Sequence, residues 1–271
     1  MSELPRVVAC MPTWNAECFV QETLESVAAQ TYPNFEVLVS DDASADATPA
    51  ICERFAATDP RFRVIRQPRR LGWIGNANLL LQTVRGQYCF FAFHDDPLQP
   101  TYVARLVEAL QANRRAVLAF TDIRSRDRVD SYCELEGVSD RVERARRLIR
   151  KRGLWWIPNR GLFRSEAATR IGGMRRHLAG EYKADWPWLL HLALLGEFVR
   201  VGEPLIEKVW RDESLSANWN REPSLWQSTA VLLACVREVH RAGLRLWEEI
   251  HLHEELVRFW TSALIGGRRF M

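Results

Sequence analysis

Two adjacent acids, Asp95 and Asp96, follow His94 at the end of the apolar run Tyr88–Phe93. A short apolar run of this kind predicts a buried strand. Neighbouring carboxylates repel each other unless a cation neutralises them, and oxygen ligands suit Mg²⁺ or Mn²⁺. Aspartate is also a common turn residue. The segment therefore predicts either a cation site or a solvated turn.

Polar residues follow two other apolar runs in the same way. The first run is followed by Pro12-Thr13-Trp14-Asn15, and the second leads into Ser40-Asp41-Asp42-Ala43-Ser44. In open α/β sheets, ligands bind beyond the carboxyl ends of the strands. Three such ends, two of them with paired acids, favour a site for a cation or for several ligand hydroxyls over three unrelated turns.

The elements that would position these residues alternate between two periodicities. Short runs rich in β-branched and aromatic residues are separated by amphipathic helical stretches, which predicts βαβ units and a parallel sheet with helices on its faces. The predicted strands are Val7–Met11, Phe35–Ser40, Phe62–Ile65, Tyr88–Phe93 and Leu162–Arg164. The predicted helices are Glu17–Gln30, Asp46–Ala57, Gly75–Val84, Thr101–Asn113, a helix from Asp185 to Leu195, and helices after Pro223.

Composition excludes several classes of protein. The chain has 271 residues, 47% of them hydrophobic and 26% charged, which is ordinary for a globular protein. A net charge of +3 is too small to predict nucleic-acid binding by itself. The six cysteines lack CxxC spacing, which argues against a zinc site or a disulfide framework and favours a reducing, cytoplasmic compartment. We expect no secretory signal and no membrane span, and the sequence lacks the glycine-rich dinucleotide, P-loop and Gly-x-Ser-x-Gly motifs.

Two blocks of sequence resemble a known family. The stretch ACMPTWNAECFVQETLESVAAQTYPNFEVLVSDDASADAT resembles the opening of family 2 glycosyltransferases, and LGWIGNANLLLQTVRGQYCFFAFHDDPLQP resembles the block that follows it. The resemblance runs over about residues 6–113 and resumes around GLFRSEAATRIGGM and ADWPWLLHLALLGEFVRVGEPLIEKVWRDESLS. It implies an α/β fold of the GT-A (Rossmann-like) type, with a mostly parallel sheet flanked by helices and a C-terminal helical appendage. The implied domains are a glycosyltransferase domain over 1–220, with a nucleotide-sugar half (1–113) and an acceptor half (114–220), and a helical extension over 221–271.

The resemblance also implies a nucleotide-sugar site along the polar edge of the sheet. The backbone of Pro12 and Thr13 would lie near the base and ribose with Asn15, and Asp41 or Asp42 would hold the uracil or ribose. The full implied set of donor-site residues is Pro12, Thr13, Asn15, Asp41, Asp42, Asn78, Asp95 and Arg211. Arg211 is a candidate diphosphate contact, because a guanidinium matches phosphate oxygens.

A divalent ion, Mn²⁺ or Mg²⁺, is implied at the acids of the same edge, where it would neutralise the diphosphate. Asp95 aligns with the metal-binding acid of the family, but Phe93 replaces the first acid of the usual Asp-x-Asp. His94 and Asp96 are the candidate substitutes for that missing ligand. A second departure precedes them, since Asn76-Ala77-Asn78 lacks the arginine of the family's Ala-Arg-Asn.

The acceptor hydroxyl needs a base, and Asp185 aligns with the acid that resembles the general base of inverting transfer. Glu181 is the alternative. An acid at a helix start is also an ordinary capping residue, but the family match favours the catalytic interpretation.

Two further features have an ordinary and a functional interpretation. Trp155 and Trp156 are most simply packing residues, and could otherwise stack on a sugar acceptor. The arginine-rich segment 141–152 is most simply a solvated helix face, and could otherwise contact an anionic acceptor such as a lipid phosphate.

The interpretation as a whole is an inverting glycosyltransferase that uses a nucleotide-sugar, for which UDP is favoured. The acceptor is left open between a glycan, a lipid-linked saccharide, a peptide and a small metabolite, with no nucleic-acid partner. The alternatives are a catalytically weak nucleotide-sugar-binding module, a nucleotidyltransferase, and nucleic-acid binding through the arginines. A cytoplasmic protein is expected, with peripheral contact at the inner face of the membrane and a homodimer left open through the C-terminal helices.

Overall fold

The computed structural model describes residues 4–151, 153–210 and 224–265. Within them, one mixed sheet runs in the order β3-β2-β1-β4-β7-β5-β6, with β8 on the other side of β5. The strands are β1 (Val7–Thr13), β2 (Phe35–Asp41), β3 (Phe62–Arg66), β4 (Tyr88–Phe91), β5 (Ala116–Ser125), β6 (Arg128–Asp130), β7 (Leu162–Arg164) and β8 (Glu197–Glu207). The helices are α1 (Val20–Ala28), α2 (Thr48–Thr58), α3 (Trp73–Thr83), α4 (Tyr102–Ala112), α5 (Arg141–Arg150), α6 (Ser165–Ile171), α7 (Asp185–Leu195), α8 (Leu225–Arg241) and α9 (Leu246–Ile265).

The first half of the chain folds as its periodicity predicts. Strands β1 to β4 are mutually parallel, and every residue of β1 is buried because helices cover both faces of the sheet. The register pairs Thr13 with Asp41, which brings the ends of β1 and β2 to the same edge. The predicted α/β fold of mostly parallel strands is therefore confirmed.

The described part of the second half contains three strands, β5, β6 and β8, that are not among the predicted strands. Strand β5 pairs with β7 and β6 along one edge and with β8 along the other, and β8 is parallel to it. The pairing of β5 with β8 has register shifts near Gly202 and Pro204, and these residues interrupt the strand pattern in the sequence. For this reason β8 is absent from the predicted strands.

The C-terminal helices form a second hydrophobic cluster with α5 and α7. Members of this cluster include Ile149 of α5, Leu190 of α7, Cys235 of α8 and Leu252 of α9, all fully buried. The α8 and α9 helices thus pack against the helix that begins with Asp185. Within the described ranges, no helix combines the length and apolarity that a membrane crossing requires.

The arginines of α5 contact α9 rather than forming only a solvated face. Arg141 pairs with Glu248 of α9 at 2.5 Å, and Arg150 pairs with Glu255 of the same helix at 2.8 Å. Arg144 is buried and donates to the carbonyl oxygens of Ala193 and Val138, and burial lowers its pKa to about 10. The interpretation as a solvated face is therefore wrong for Arg144, which is buried, while Arg141 and Arg150 stay partly exposed and also join α5 to α9.

Candidate functional site

The three polar strand ends lie side by side, as the topology requires. Strand β1 lies between β2 and β4. Beyond β4 the chain stays beside β1, since Ala92 N–H donates to the Cys10 carbonyl. The Nδ1 of His94 lies 2.8 Å from the Pro12 carbonyl oxygen, which directly links the first and third of these ends. The residues predicted from the strand ends therefore form one continuous edge.

Asp41 and Asp42 are both buried and accept hydrogen bonds from loops. Asp41 accepts from the Ser44 N–H at 3.0 Å and from the Ser44 hydroxyl at 2.5 Å. Asp42 accepts from the backbone N–H groups of Leu71 and Gly72 at 2.6 and 3.0 Å. In this arrangement the two carboxylates hold the loops that follow β2 and β3 in place. Their contact with a nucleoside stays a prediction.

The loop after β1 is fixed to the loop after β2 by Asn15. Its backbone N–H donates to Ser44 Oγ, and its side-chain oxygen accepts from Ala45 N–H at 3.0 Å. Asn15 and Ala43 both have positive φ angles, 45° and 56°, which residues other than glycine rarely adopt. Backbone strain of this kind is often found at ligand sites, and it occurs here at the predicted donor edge.

Two other predicted residues have structural partners. The side chain of Asn78 exchanges two hydrogen bonds of 2.8 Å with the backbone of Met174. Its role in donor binding stays a prediction. Glu181 accepts from Arg176 at 2.8 Å and from Trp73 N–H at 3.2 Å. The alternative base is therefore held by two donors of its own.

The paired acids lie against two cations, Lys208, which is buried, and Arg160, which is partly buried. The Lys208 ammonium lies 2.8 Å from Asp96 Oδ1 and 3.4 Å from Asp95 Oδ2, and its side chain is only 3% exposed. The Nε of Arg160 donates to the other oxygen of Asp96 at 2.6 Å. Burial acts to raise the pKa of Asp95, but Lys208, His94 and Arg160 outweigh it and hold this pKa below its ordinary value. Cations of the protein itself therefore neutralise the two adjacent acids.

The residues predicted to bind a divalent ion do not fit one in this arrangement. Both oxygens of Asp96 are in ion pairs, and the Nδ1 of His94 donates to a carbonyl, which leaves Asp95 Oδ1 and His94 Nε2 as potential ligands. In the part of the chain that the structure describes, no three His, Cys, Asp or Glu side chains are grouped as a metal site. A divalent ion on Asp95 would also lie close to the Lys208 ammonium.

Asp185 lies in a different environment, at the first residue of α7. Its side chain accepts from Asn159 Nδ2 at 2.9 Å through Oδ2, while Oδ1 is buried and has no hydrogen-bond partner among the described residues. Burial raises the pKa of Asp185 to about 7, although the local backbone N–H groups and the positive charges of Arg160 and Lys183 act to lower it. A carboxylate with this pKa can accept a proton near neutral pH.

One short 3₁₀ helix, Pro158–Arg160, joins the two acidic environments. Consecutive residues face different acids, since Asn159 donates to Asp185 and Arg160 donates to Asp96. The sequence pattern predicts a loop here and does not single out Asn159, Arg160 or Lys208 as site residues. The available signals are weak, namely a Pro-Asn-Arg-Gly turn before a strand and a lysine three residues before Arg211.

The tryptophans near this edge pack on one another. Trp156 meets Trp210 edge to face at 5.9 Å, and the Arg160 guanidinium lies 5.4 Å from the Trp156 ring. These contacts agree with the packing interpretation of Trp156. Arg211, the predicted diphosphate contact, lies outside the described residues.

Comparison with known proteins identifies the class of protein that this fold and edge define. The model of glycosyl transferase family 2 matches residues 8–163, which is more than half of the chain. The chain belongs to this family, and the predicted family is confirmed. The glycosyltransferase GlyG of Streptococcus pneumoniae is 32% identical over 111 residues, which is 41% of this chain and 36% of GlyG. The chain thus spans about a third of the length of this relative.

Solved structures confirm the GT-A fold. Residues 1–349 of S. aureus TarS, in complex with UDP-GlcNAc, give a TM-score of 0.75 at 16% identity over 96% of this chain and 73% of that one. The mannosyltransferase PcManGT from Pyrobaculum calidifontis, in complex with GDP-Man and Mn²⁺, gives 0.62 at 17% identity over 100% of this chain and 77% of that one. At these identities the likeness extends to the fold alone.

Proposed function

We propose that the chain transfers a sugar from a nucleotide-sugar to an acceptor hydroxyl with inversion at the anomeric carbon, and that Asp185 is the general base. The donor is a UDP-sugar bound along the edge formed by the ends of β1, β2 and β4. Family membership supports glycosyl transfer, and the UDP-GlcNAc complex of TarS supports the choice of nucleotide. Family membership argues against the nucleotidyltransferase alternative.

The observation that carries the proposal is the burial of Asp185 and the raised pKa that results from it. The residue is 5% exposed, and its carboxylate accepts one side-chain hydrogen bond and has a pKa raised by burial to about 7. Protonation by the acceptor relieves the cost of a buried charge, because the neutral acid is the form that burial favours. Removal of the proton as the hydroxyl attacks makes the acceptor oxygen a stronger nucleophile.

The proposal includes no step through a divalent ion, because the residues of the edge do not fit one as they are arranged. Mn²⁺ or Mg²⁺ stays a prediction from the resemblance. The acceptor is a glycan, a lipid-linked saccharide, a peptide or a small metabolite, and a membrane-bound acceptor or a second subunit remains compatible with the fold.

Donor turnover in wild type and variants tests the function. A thermal-shift panel of UDP, GDP, UDP-GlcNAc and GDP-mannose, with EDTA or Mn²⁺, first identifies the donor. Release of nucleoside diphosphate is then measured for wild type and Asp185→Asn. We expect Asp185→Asn to slow release by at least about 100-fold and to keep the thermal shift given by the nucleotide.

The Glu181→Gln variant is the matched control, since it removes a carboxylate four residues away. We expect its release rate to stay near that of wild type, because Glu181 is held by Arg176 and Trp73. Loss of turnover in Glu181→Gln with full turnover in Asp185→Asn would reverse the assignment of the base. No thermal shift with any of the four nucleotides would contradict donor binding itself.

A further inference from the structure

Lys208 is held at the paired acids by its backbone as well as by its side chain. Its N–H donates to the Arg124 carbonyl of β5 at 2.7 Å, and the N–H of Glu207 donates to the Pro97 carbonyl at 2.9 Å. The segment that carries Lys208 is thus attached both to the central strand of the second half and to the residue that follows Asp96. This attachment places the ammonium between the two carboxylates.

Arg160 is the second cation, and it occupies the region where the family has an additional acid. Its guanidinium carbon lies 4.8 Å from the centre of the Phe93 ring, and Phe93 stands at the position of the first acid of the Asp-x-Asp pattern. A guanidinium stacks favourably on an aromatic ring, whereas an acid here would be a third carboxylate at the same edge. Arg160 also donates from Nη1 to the Trp156 carbonyl. Its Nη2 has no acceptor among the described residues.

The charges at this edge sum as they would around a metal. Two carboxylates with one divalent ion give a net charge of zero. The ion pairs of Asp95 and Asp96 with Lys208 and Arg160 give the same net charge. An additional divalent ion would leave the edge with two positive charges, at short range from both fixed cations.

We infer that Lys208 and Arg160 take the place of the divalent ion at the donor diphosphate, so that this chain binds a nucleoside diphosphate without added metal. The inference rests on the proposed function. When the acceptor oxygen forms its bond to the anomeric carbon, the bond from that carbon to the diphosphate oxygen breaks and its electron pair stays on the diphosphate. The acceptor proton goes to Asp185. The Nη2 donor of Arg160 and the fixed charge of Lys208 stabilise the negative charge on the departing diphosphate.

Calorimetric titration of the full chain with UDP, in EDTA and in Mn²⁺, tests the inference directly. For wild type we expect the two dissociation constants to agree within about threefold. Binding of UDP that is at least tenfold tighter with Mn²⁺ would overturn the inference and leave the proposed function standing. The same titration with GDP serves as a check on the nucleotide. If neither UDP nor GDP binds in EDTA or in Mn²⁺, the proposed function is overturned as well, so failure of the inference and failure of the function are distinguishable.

The Lys208→Ala variant adds a result that a purely structural role of Lys208 does not predict. Removal of the ammonium leaves two carboxylates with one cation, and the space between them can then accept an ion. We expect UDP affinity in EDTA to fall at least tenfold, and Mn²⁺ to restore it to within about threefold of wild type. The electron paramagnetic resonance of Mn²⁺ alone should show binding to Lys208→Ala and none to wild type.

Lys151→Ala is the matched control, because Lys151 is paired with Glu134 at 2.7 Å on the surface. We expect it to change neither UDP affinity nor Mn²⁺ binding. Mn²⁺ binding by wild type equal to that of Lys208→Ala would contradict the inference. If Lys208→Ala does not fold, the wild-type comparison of EDTA with Mn²⁺ decides the question alone.

Discussion

The paired acids Asp95 and Asp96, through Asp96, and the single acid Asp185 contact the same short helix, Pro158–Arg160, but their neighbours differ in charge. Asp95 and Asp96 contact Lys208, Asp96 also contacts Arg160, and the pKa of Asp95 is held below its ordinary value. Asp185 is also buried, but its hydrogen-bond donor is a neutral amide and its pKa is raised to about 7. Burial acts to raise both pKa values and Arg160 acts to lower both, so Lys208 and His94, which act on Asp95, distinguish it from Asp185.

This difference assigns different chemistry to the two groups. Asp95, whose pKa is held below its ordinary value by nearby cations, keeps its charge over the neutral range and is a poor proton acceptor. A carboxylate without a contacting cation can take up a proton at neutral pH. If Asp185 is the base, as proposed, the acids at the end of β4 and the acid at the start of α7 have different roles: the first pair is neutralised by cations and the second accepts a proton.

The largest expected change in the free energy of unfolding comes from removing Asp96 from its ion pairs with Lys208 and Arg160. Asp96→Ala leaves the buried Lys208 and the partly buried Arg160 with one fewer anion, and loss of one partner of a buried pair costs about 3–5 kcal/mol. The free energy of unfolding from chemical denaturation measures it. The control is Asp59→Ala, whose pair with Arg61 is partly exposed and should contribute less than about 1 kcal/mol. Equal losses in the two variants would contradict the distinction between a buried cluster and a surface pair.

A second effect concerns stability against pH. The pKa of Asp185 is raised in the folded protein, so its stabilising contribution is present below the unfolded pKa near 4 and is lost as the pH rises through about 7. Asp185→Asn removes this loss. We therefore expect Asp185→Asn to gain melting temperature relative to wild type between pH 4.5 and pH 8, by several degrees, from a linkage on the order of 4 kcal/mol.

Asp59→Asn provides a control of opposite sign. The hydrogen bond from Arg61 holds the pKa of Asp59 below its ordinary value, so its contribution is present above the unfolded pKa and is lost as the pH falls through the folded pKa. Asp59→Asn should therefore be less stable than wild type at pH 8, with a smaller difference near pH 3. A melting-temperature difference for Asp185→Asn that does not change with pH would count against the raised pKa.

A smaller effect is expected from Asn159, the residue of the Pro158–Arg160 helix that contacts Asp185. Asn159→Ala removes the hydrogen bond that stabilises the Asp185 anion, so the pKa of Asp185 should rise further, by about one unit. The pH at half-maximal donor turnover reports this shift. Asn34→Ala, which removes an exposed amide that donates to the Leu4 carbonyl, should leave it unchanged. A downward shift in Asn159→Ala would show that Asn159 does not stabilise the anion.

The acids of the edge are predictable from sequence because the local structure around them has a clear pattern. Asp41, Asp42, Asp95 and Asp96 follow strands whose periodicity is clear, and the parallel topology brings strand ends to one edge by geometry alone. Asp185 is recognisable because it begins a strongly apolar helix at a family motif. Sequence pattern and family motif together are therefore enough to select these five acids.

The cations of the edge could not be predicted from sequence. Lys208 meets Asp96 across a separation of 112 residues, and Arg160 meets it across 64. Such pairings depend on how β7 and β8 join β5, and the pattern of β8 is interrupted by Gly202 and Pro204. The family pattern leads instead to a metal, because two acids at a strand end look the same whether an ion or an ammonium neutralises them.

The pH dependence of kcat/KM for donor turnover by the wild-type chain, measured from pH 5 to pH 9, is the decisive measurement of whether Asp185 acts as the base. If Asp185 must be deprotonated to act as the base, the rate rises about tenfold per pH unit on the acid side and levels off above a midpoint near 7. Asp95 adds no limb in this range, because its pKa is held below its ordinary value. A rate that is constant from pH 5 to pH 9 would contradict the assignment of Asp185 as the base.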